Sequence, residues 1–241
     1  MKKSILLSSC LFISFLSTAS TLNDSLYSIE QRTLGRIGVS VLDSTDQQWH
    51  YKGNERFPMM STFKTLACAK MLQDSDRDIL DISTMAPVKS DELIAWSPIT
   101  KNMVGSSITI ENACEATMKT SDNTAANIVL KHIGGPQGVT AFLRLIGDKV
   151  TQLDRFEPEL NQAKADDLRD TTTPNAMNKT LYHILFEDVL AQNSKKQLKE
   201  WMQGNTVSDS LLRSVLPKGW SIADRSGAGA NGSRGITAAI W

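Results

Sequence analysis

The chain reads as an α/β protein of the α+β kind, with an antiparallel sheet drawn from both termini and packed against a helical lobe. Two observations point there. Strand-like alternation is confined to the two ends of the 241-residue sequence. The middle, from about residue 70 to residue 215, carries apolar residues at helical spacing between polar loops. Strands from the two ends can then pair and share one core with the helices between them.

The elements follow in order. Residues 22–33 form a first helix, with Leu22, Leu26, Ile29 and Leu34 near helical spacing, and Gly35 ends it. Residues 36–43 alternate and are rich in Ile and Val, 44–47 turn, and 48–52 return as a second strand, which makes a hairpin. Residues 57–72 read as one largely buried helix opened by Pro58, whose missing N–H costs nothing at a helix start. Further helices are expected over 108–120, 125–133, 136–145, 175–191, 195–204 and 208–216. Strand patterning returns over 220–225 and 233–241, joined by a glycine-rich turn. There are no internal repeats or low-complexity segments.

The length suits one large domain or two small ones. Lys+Arg and Asp+Glu each number 26, so charge makes no case for nucleic acid or a polybasic membrane contact. Residues 1–19 have the form of a secretory signal. Lys2 and Lys3 precede an apolar run over 5–16, and Ser17-Thr18-Ala19 supplies small residues for cleavage. No other stretch is long and apolar enough to span a bilayer, so the mature protein is expected to be exported and free of the membrane. Leu7-Ser8-Ser9-Cys10 looks like a lipoprotein cleavage box, but the apolar run before Cys10 is short and continues past it. Cys10 leaves with the signal. The remaining pair, Cys68 and Cys114, makes a disulfide the default expectation in an exported protein. Two buried free thiols compete with it, because the cysteines lie on two apolar helices that allow either.

Four polar clusters interrupt the apolar pattern. Ser61 and Lys64 share one face of the first buried helix, at i, i+3 spacing. A buried ammonium needs a partner. A lysine beside a serine hydroxyl near a helix N-terminus can act as a base. An isolated S-x-x-K more often means a capping serine and a snorkelling lysine. Ser121-Asp122-Asn123 precedes a helix and alone reads as an N-cap. Glu157-Pro158-Glu159-Leu160-Asn161 lies in an irregular polar stretch over 155–170, where solvated carboxylates are the usual meaning, although compact loops of this size are often functional. Arg225-Ser226-Gly227-Ala228-Gly229 ends a strand and alone reads as a hairpin. His50, His132 and His183 are scattered without metal-ligand spacing, and no G-x-S-x-G elbow is present, so a metallo-hydrolase and an α/β-hydrolase are both disfavoured.

Taken together and in this order, S-x-x-K, S-D-N, E-x-x-L-N and a basic-Ser-Gly strand resemble the active-site set of the class A serine β-lactamases. The resemblance runs from about Leu22 to Trp241. It includes Trp96 in Ala95-Trp96-Ser97-Pro98-Ile99-Thr100, Thr172-Thr173-Pro174, and the Cys68/Cys114 pair, which in that family would be bridged. It implies a β-lactamase/transpeptidase-like fold, with 1–19 as signal and 20–241 as catalytic domain.

It also implies roles. Ser61 would open the lactam ring, with Lys64 taking or relaying its proton. Ser121 would pass a proton to the leaving nitrogen. Glu157, with Asn161, would activate the water that cleaves the acyl-enzyme. Which of Lys64 and Glu157 is the acylation base is disputed for the family. The N–H groups of Ser61 and Ala228 would form the oxyanion hole. Trp96, Asn123, Asn161, Arg225, Ser226, Gly227, Ala228 and Arg234 would bind substrate, and Arg155 and Asp170 would close the loop that carries Glu157.

Two departures from the family pattern stand out. Arg225 stands where most members have Lys, which resembles the carbenicillin-hydrolysing subgroup. A guanidinium can bind a second substrate carboxylate bidentately. The chain also stops at Trp241, inside a strand, where family members continue with another strand and a long terminal helix. The expectation is a partial sequence with an open sheet edge.

The implied function is hydrolysis of penicillins, carbenicillin among them, in the periplasm. It needs no cofactor, acts on a small-molecule substrate as a monomer, and confers antibiotic resistance. Penicillin-binding transpeptidases or carboxypeptidases and penicillin-sensing domains share the serine and lysine but lack the deacylating glutamate. An inactive fragment is the remaining alternative.

Overall fold

The structure is a computed structural model that describes residues 13–241, with side chains described from residue 21 onward. Most of the expected signal segment, Cys10 included, lies outside the described residues. Helix α1 (Ile13–Thr33) leads into the hairpin β1 (Val39–Leu42) and β2 (Gln48–Tyr51). Strand β3 (Phe57–Pro58), a 3₁₀ turn at Met60–Thr62 and helix α2 (Phe63–Asp76) follow. Next come β4 (Met85–Pro87), β5 (Ser107–Thr109), α3 (Ile110–Thr120), α4 (Asn123–His132) and α5 (Gly135–Leu145). The chain continues through β6 (Thr171–Thr172), α6 (Pro174–Phe186), α7 (Gln192–Gln203), β7 (Ile222–Ala228) and β8 (Arg234–Ile240).

Helix α2 is the axis of the molecule. Phe63, Leu66, Ala67, Cys68, Ala69, Met71 and Leu72 are all buried, so the helix is apolar on nearly every side, as its sequence predicts. They join Ile110 and Met118 of α3, Val129 and Leu130 of α4, Leu143 of α5 and Leu198 and Met202 of α7 in one core cluster. Burying a side chain of that size stabilises by about 1.5–3 kcal/mol. Cys68 and Cys114 are bonded, with their Cα atoms 5.8 Å apart, which decides between the disulfide and the free thiols and ties α2 to α3. Closing a loop of 46 residues contributes about 2–4 kcal/mol, chiefly by restricting the unfolded chain.

The strands from the two termini do not pair with each other, contrary to the single shared sheet expected. Among the described residues each strand pairs antiparallel with one partner, as β1–β2, β3–β6, β4–β5 and β7–β8. Helix α6 is what joins the terminal hairpins, because it packs against both β1 and β8. Asn178 of α6 donates to Ser40 Oγ at 3.1 Å. The layout is otherwise the expected one of antiparallel strands from both ends against a helical lobe.

Three local expectations need correction. Pro58 does not open α2. It lies in β3, opposite Thr171, a short pairing that tolerates its missing N–H. Met59 N–H then bonds to Asp170 O at 2.9 Å, and the chain turns through Met60 at φ +50° before the helix begins. Residues 108–109 belong to β5, where Ile108 pairs with Ala86. Helix α3 starts only after Thr109, whose hydroxyl caps Asn112 N–H at 3.0 Å. Residues 208–216 hold only a short 3₁₀ turn, Leu212–Val215, and its apolar residues stay exposed, so there was no buried face to stabilise a longer helix. Among the described residues no helix is long and apolar enough to cross a membrane.

Candidate active site

Lys64 is the centre of the site. It projects from the first turn of α2 and is fully buried. Its ammonium donates to Ser121 O at 2.9 Å, Ser121 Oγ at 3.1 Å and Asn123 Oδ1 at 2.6 Å. It also faces Glu157 Oε1 as an ion pair at 3.2 Å. The three ammonium hydrogens are matched by these three hydrogen bonds, so Glu157 Oε1 is held by charge. Burial pushes Lys64 from its ordinary value down to about 8. Glu157 opposes that shift, and the nearby Arg225 adds to it.

The S-D-N segment does what its cap reading predicts, and more. Asp122 is the N-cap of α4, accepting from Ala125 N–H at 2.9 Å. The same buried carboxylate accepts from Ile99 N–H, Thr100 N–H and the Thr100 hydroxyl, which fixes the loop around Trp96. Ser121 ends α3 at φ +62°, and this left-handed residue turns its hydroxyl onto Lys64. Asn123 is held by two bonds on its other side, from Nδ2 to Ala95 O at 2.8 Å and from its N–H to Trp96 O at 3.0 Å. Trp96 itself is exposed, with its indole N–H on Thr120 O at 3.1 Å.

Glu157 is buried in the irregular loop. Its backbone is gripped twice by Asn127 of α4, which accepts from Glu157 N–H at 3.0 Å and donates to Glu157 O at 2.9 Å. Asn127 was missed in the sequence; its only signal is its place one helical turn after Asn123. Asn161 Nδ2 donates to Glu157 Oε2. Two buried acceptors here, Glu157 Oε1 and Asn161 Oδ1, make no hydrogen bond among the described residues. The loop is closed where Arg155 Nε meets Asp170 Oδ2 at 2.5 Å, while Asp170 Oδ1 accepts the N–H groups of Asp154 and Arg155.

Strand β7 forms the opposite wall. A Cβ on Gly227 would stand 2.8 Å from Ser61 N, so only glycine lets the strand come this close to the 3₁₀ turn. Ser221 and Trp241 exchange backbone bonds at one end of the hairpin, and Gly229 bonds to Ser233 at the other. By the alternation of antiparallel pairs, the Ala228 N–H faces away from β8. Ser226 is nearly buried in the same strand, and Ser61 is only 7% exposed. Arg234, at the start of β8, is exposed and donates to Ser233 O at 2.7 Å.

Arg225 differs from expectation. Its side chain is 1% exposed. Nε is spent on Ser226 O at 3.0 Å, and Nη1 on Met118 O at 2.8 Å and Asn205 Oδ1 at 3.2 Å. Only Nη2 lacks a hydrogen bond among the described residues. The bidentate grip expected from the sequence needs two adjacent nitrogens, so it is closed unless a protein bond breaks.

The sequence model described as "Beta-lactamase enzyme family" matches residues 19–238. The chain belongs to that family. Among its curated relatives, Beta-lactamase CARB-3 of Pseudomonas aeruginosa is 51% identical over 239 residues, covering 99% of this chain and 83% of the relative. Beta-lactamase AER-1 of Aeromonas hydrophila is 44% identical over 240 residues, covering 96% and 79%. The crystal structure of the chromosome-encoded β-lactamase of Vibrio parahaemolyticus superposes with a TM-score of 0.90 at 60% identity, over 91% of this β-lactamase and 84% of that chain. The class A β-lactamase of the last common ancestor of Gram-negative bacteria gives 0.90 at 45% identity, over 92% and 85%.

Proposed function

We propose that this β-lactamase opens the lactam ring of penicillins through an acyl-enzyme on Ser61 and then hydrolyses it. The observation that carries the reading is one buried ammonium, Lys64, in contact with Ser121, Asn123 and Glu157 at once. In acylation, Ser61 Oγ bonds to the lactam carbonyl carbon and gives up its proton, either to neutral Lys64 or through a water to Glu157. The ring C–N bond breaks, and Ser121 delivers a proton to the nitrogen and takes one from Lys64, so the proton lost by Ser61 ends on the leaving nitrogen. The N–H groups of Ser61 and Ala228 stabilise the oxyanion, a contribution whose loss costs about 10²–10³ in rate.

In deacylation, a water donating to the two unsatisfied acceptors, Glu157 Oε1 and Asn161 Oδ1, attacks the ester. Glu157 takes its proton, the ester C–O bond breaks, and Ser61 recovers a hydrogen. A transpeptidase or sensor has no use for such a buried, pinned carboxylate. Trp96 flanks the substrate, and Arg225 and Arg234 attract its carboxylates, the second one of carbenicillin included. We further assign residues 1–19 to export and 20–241 to a monomeric periplasmic catalytic domain without a cofactor, which confers resistance on its host.

The test is nitrocefin turnover with intact-mass analysis. The parent should turn over and form a transient adduct of one penicillin, and Ser61→Ala should do neither. A parent that neither reacts nor turns over would overturn the reading.

A further inference from the structure

Arg225 is a buried cation with no carboxylate bonded to it among the described residues. Its three protein acceptors are two backbone carbonyls and the Asn205 amide. The neighbouring carboxylate, Asp224, is fully buried but is taken by Arg213, whose Nη2 lies 2.6 Å from Asp224 Oδ1. Asn205, just past α7, stands between the two. Its Nδ2 donates to Ser208 Oγ at 2.8 Å and to Asp224 Oδ2 at 3.2 Å, while its Oδ1 accepts from Arg225 Nη1 at 3.2 Å. The amide can face only one way, because a flip would set its NH₂ against the guanidinium and its oxygen against the carboxylate. Burying a charge without a counter-ion is costly, and a fold keeps one where the charge has a use. The charge reaches the site: Arg225 lowers the proton affinity of Lys64, while burial lowers that of Arg225 and the charges of Asp224 and then Glu157 raise it.

We propose that Asn205 is a positioning residue that holds Arg225 in place and keeps Asp224 from bonding to it, so that a guanidinium with no directly bonded counter-ion grips the substrate carboxylate. This inference rests on the function proposed above and deepens it. A neutral acceptor at residue 205 fixes Nη1 without cancelling the charge. A carboxylate there would cancel it, and an apolar residue would leave Nη1 with one bond fewer. Asn205 touches no reacting atom, so it acts through Arg225 and on binding.

The test is steady-state kinetics of Asn205→Ala and Asn205→Asp on ampicillin and on carbenicillin, with active sites counted by mass of the acyl adduct. Loss of uniform binding raises KM and leaves kcat alone. Asn205→Ala should raise KM about threefold, and Asn205→Asp about tenfold, as expected for a lost charge-assisted bond. The rise should be larger for the dicarboxylate carbenicillin, and kcat should change less than about twofold. In an Arg225→Met background the same substitutions should have no further effect on KM, because the residue they act through is gone. Unchanged KM in Asn205→Ala, a fall in kcat at constant KM, or full effects that persist in the Arg225→Met background would each overturn the proposal. If Asn205→Asp does not fold, Asn205→Ala decides alone. A parent inert to penicillin would sink the proposed function and this inference together, whereas an active parent with indifferent variants would sink this inference only.

Discussion

Lys64 Nζ and Glu157 Oε1 stand 3.2 Å apart, with neither side chain exposed to solvent. The two groups come from elements far apart in the chain, α2 and an irregular loop, and each is the other's nearest opposite charge. Removing one partner of such a pair leaves the other buried and uncompensated. Burial favours neutral Lys64, and the pair with Glu157 opposes it.

The first prediction follows from the sign of that shift. Burial brings Lys64 to about 8. If neutral Lys64 is the acylation base, its active fraction grows as pH rises through that value. About a tenth of it is neutral at pH 7 and about half at pH 8, so acylation should quicken roughly fivefold across that unit. Glu157 raises the proton affinity of Lys64, so Glu157→Gln should move the midpoint below 8. Single-turnover acylation measured from pH 6 to 9 checks both points. A flat profile in the parent would remove Lys64 from the role of base.

Glu157 itself should separate the two halves of the reaction. Glu157→Gln keeps the shape and the donor contact with Asn161 but cannot accept the water's proton. Acylation should survive, and deacylation should fall by about 10²–10⁴, the range of a lost general base. Intact-mass spectra should show a long-lived adduct of one penicillin on Ser61. Turnover at the parent rate would show that another group activates the water.

Gly227 tests the wall opposite Lys64. A Cβ there would meet the backbone nitrogen of Ser61 at 2.8 Å and Met59 O at 3.1 Å. These neighbours are backbone and cannot rotate away, so β7 and the 3₁₀ turn must separate in Gly227→Ala. That separation would widen the gap between the Ser61 and Ala228 N–H groups. The acylation rate should drop by about 10²–10³, as for loss of an oxyanion donor, and the melting temperature should fall by roughly 2–10 °C, as for an overpacking cost of about 1–3 kcal/mol. Parent-like acylation would show that the N–H groups do not act as a pair.

Much of this arrangement was legible because the informative residues carry local signatures. Ser61 and Lys64 are spaced on one face, Asp122 caps a helix in either reading, and Glu157 and Asn161 lie four apart in a stretch with no periodicity. The apolar length of α2 marked the buried axis. The rest is set by contacts between distant segments. Pro58 looks like a helix start, yet its pairing with Thr171 decides its place. Asn127 and Asn205 are single polar residues whose partners, Glu157 and Arg225, lie 30 and 20 positions away. Nothing local distinguishes them from solvated asparagines. The pairing of the terminal strands differs from the sequence expectation for the same reason: alternation predicts that a strand exists but does not choose its neighbour.

Arg225 carries the last prediction, and the structure changes its form. The sequence suggests a bidentate receptor for a second carboxylate. Nε and Nη1 are already committed to Ser226 O, Met118 O and Asn205 Oδ1, so Nη2 is what remains. Arg225→Lys replaces this planar, three-point anchorage with a single ammonium on a flexible stem. The charge is kept but its position is no longer fixed. Ampicillin, with one carboxylate, should lose little, within about threefold in kcat/KM. Carbenicillin, with two, should lose about tenfold or more, mainly through KM, because the placement of the charge matters more when two anions must be met at once. Equal losses on the two substrates would show that Arg225 supplies general attraction for anions and no selectivity between them.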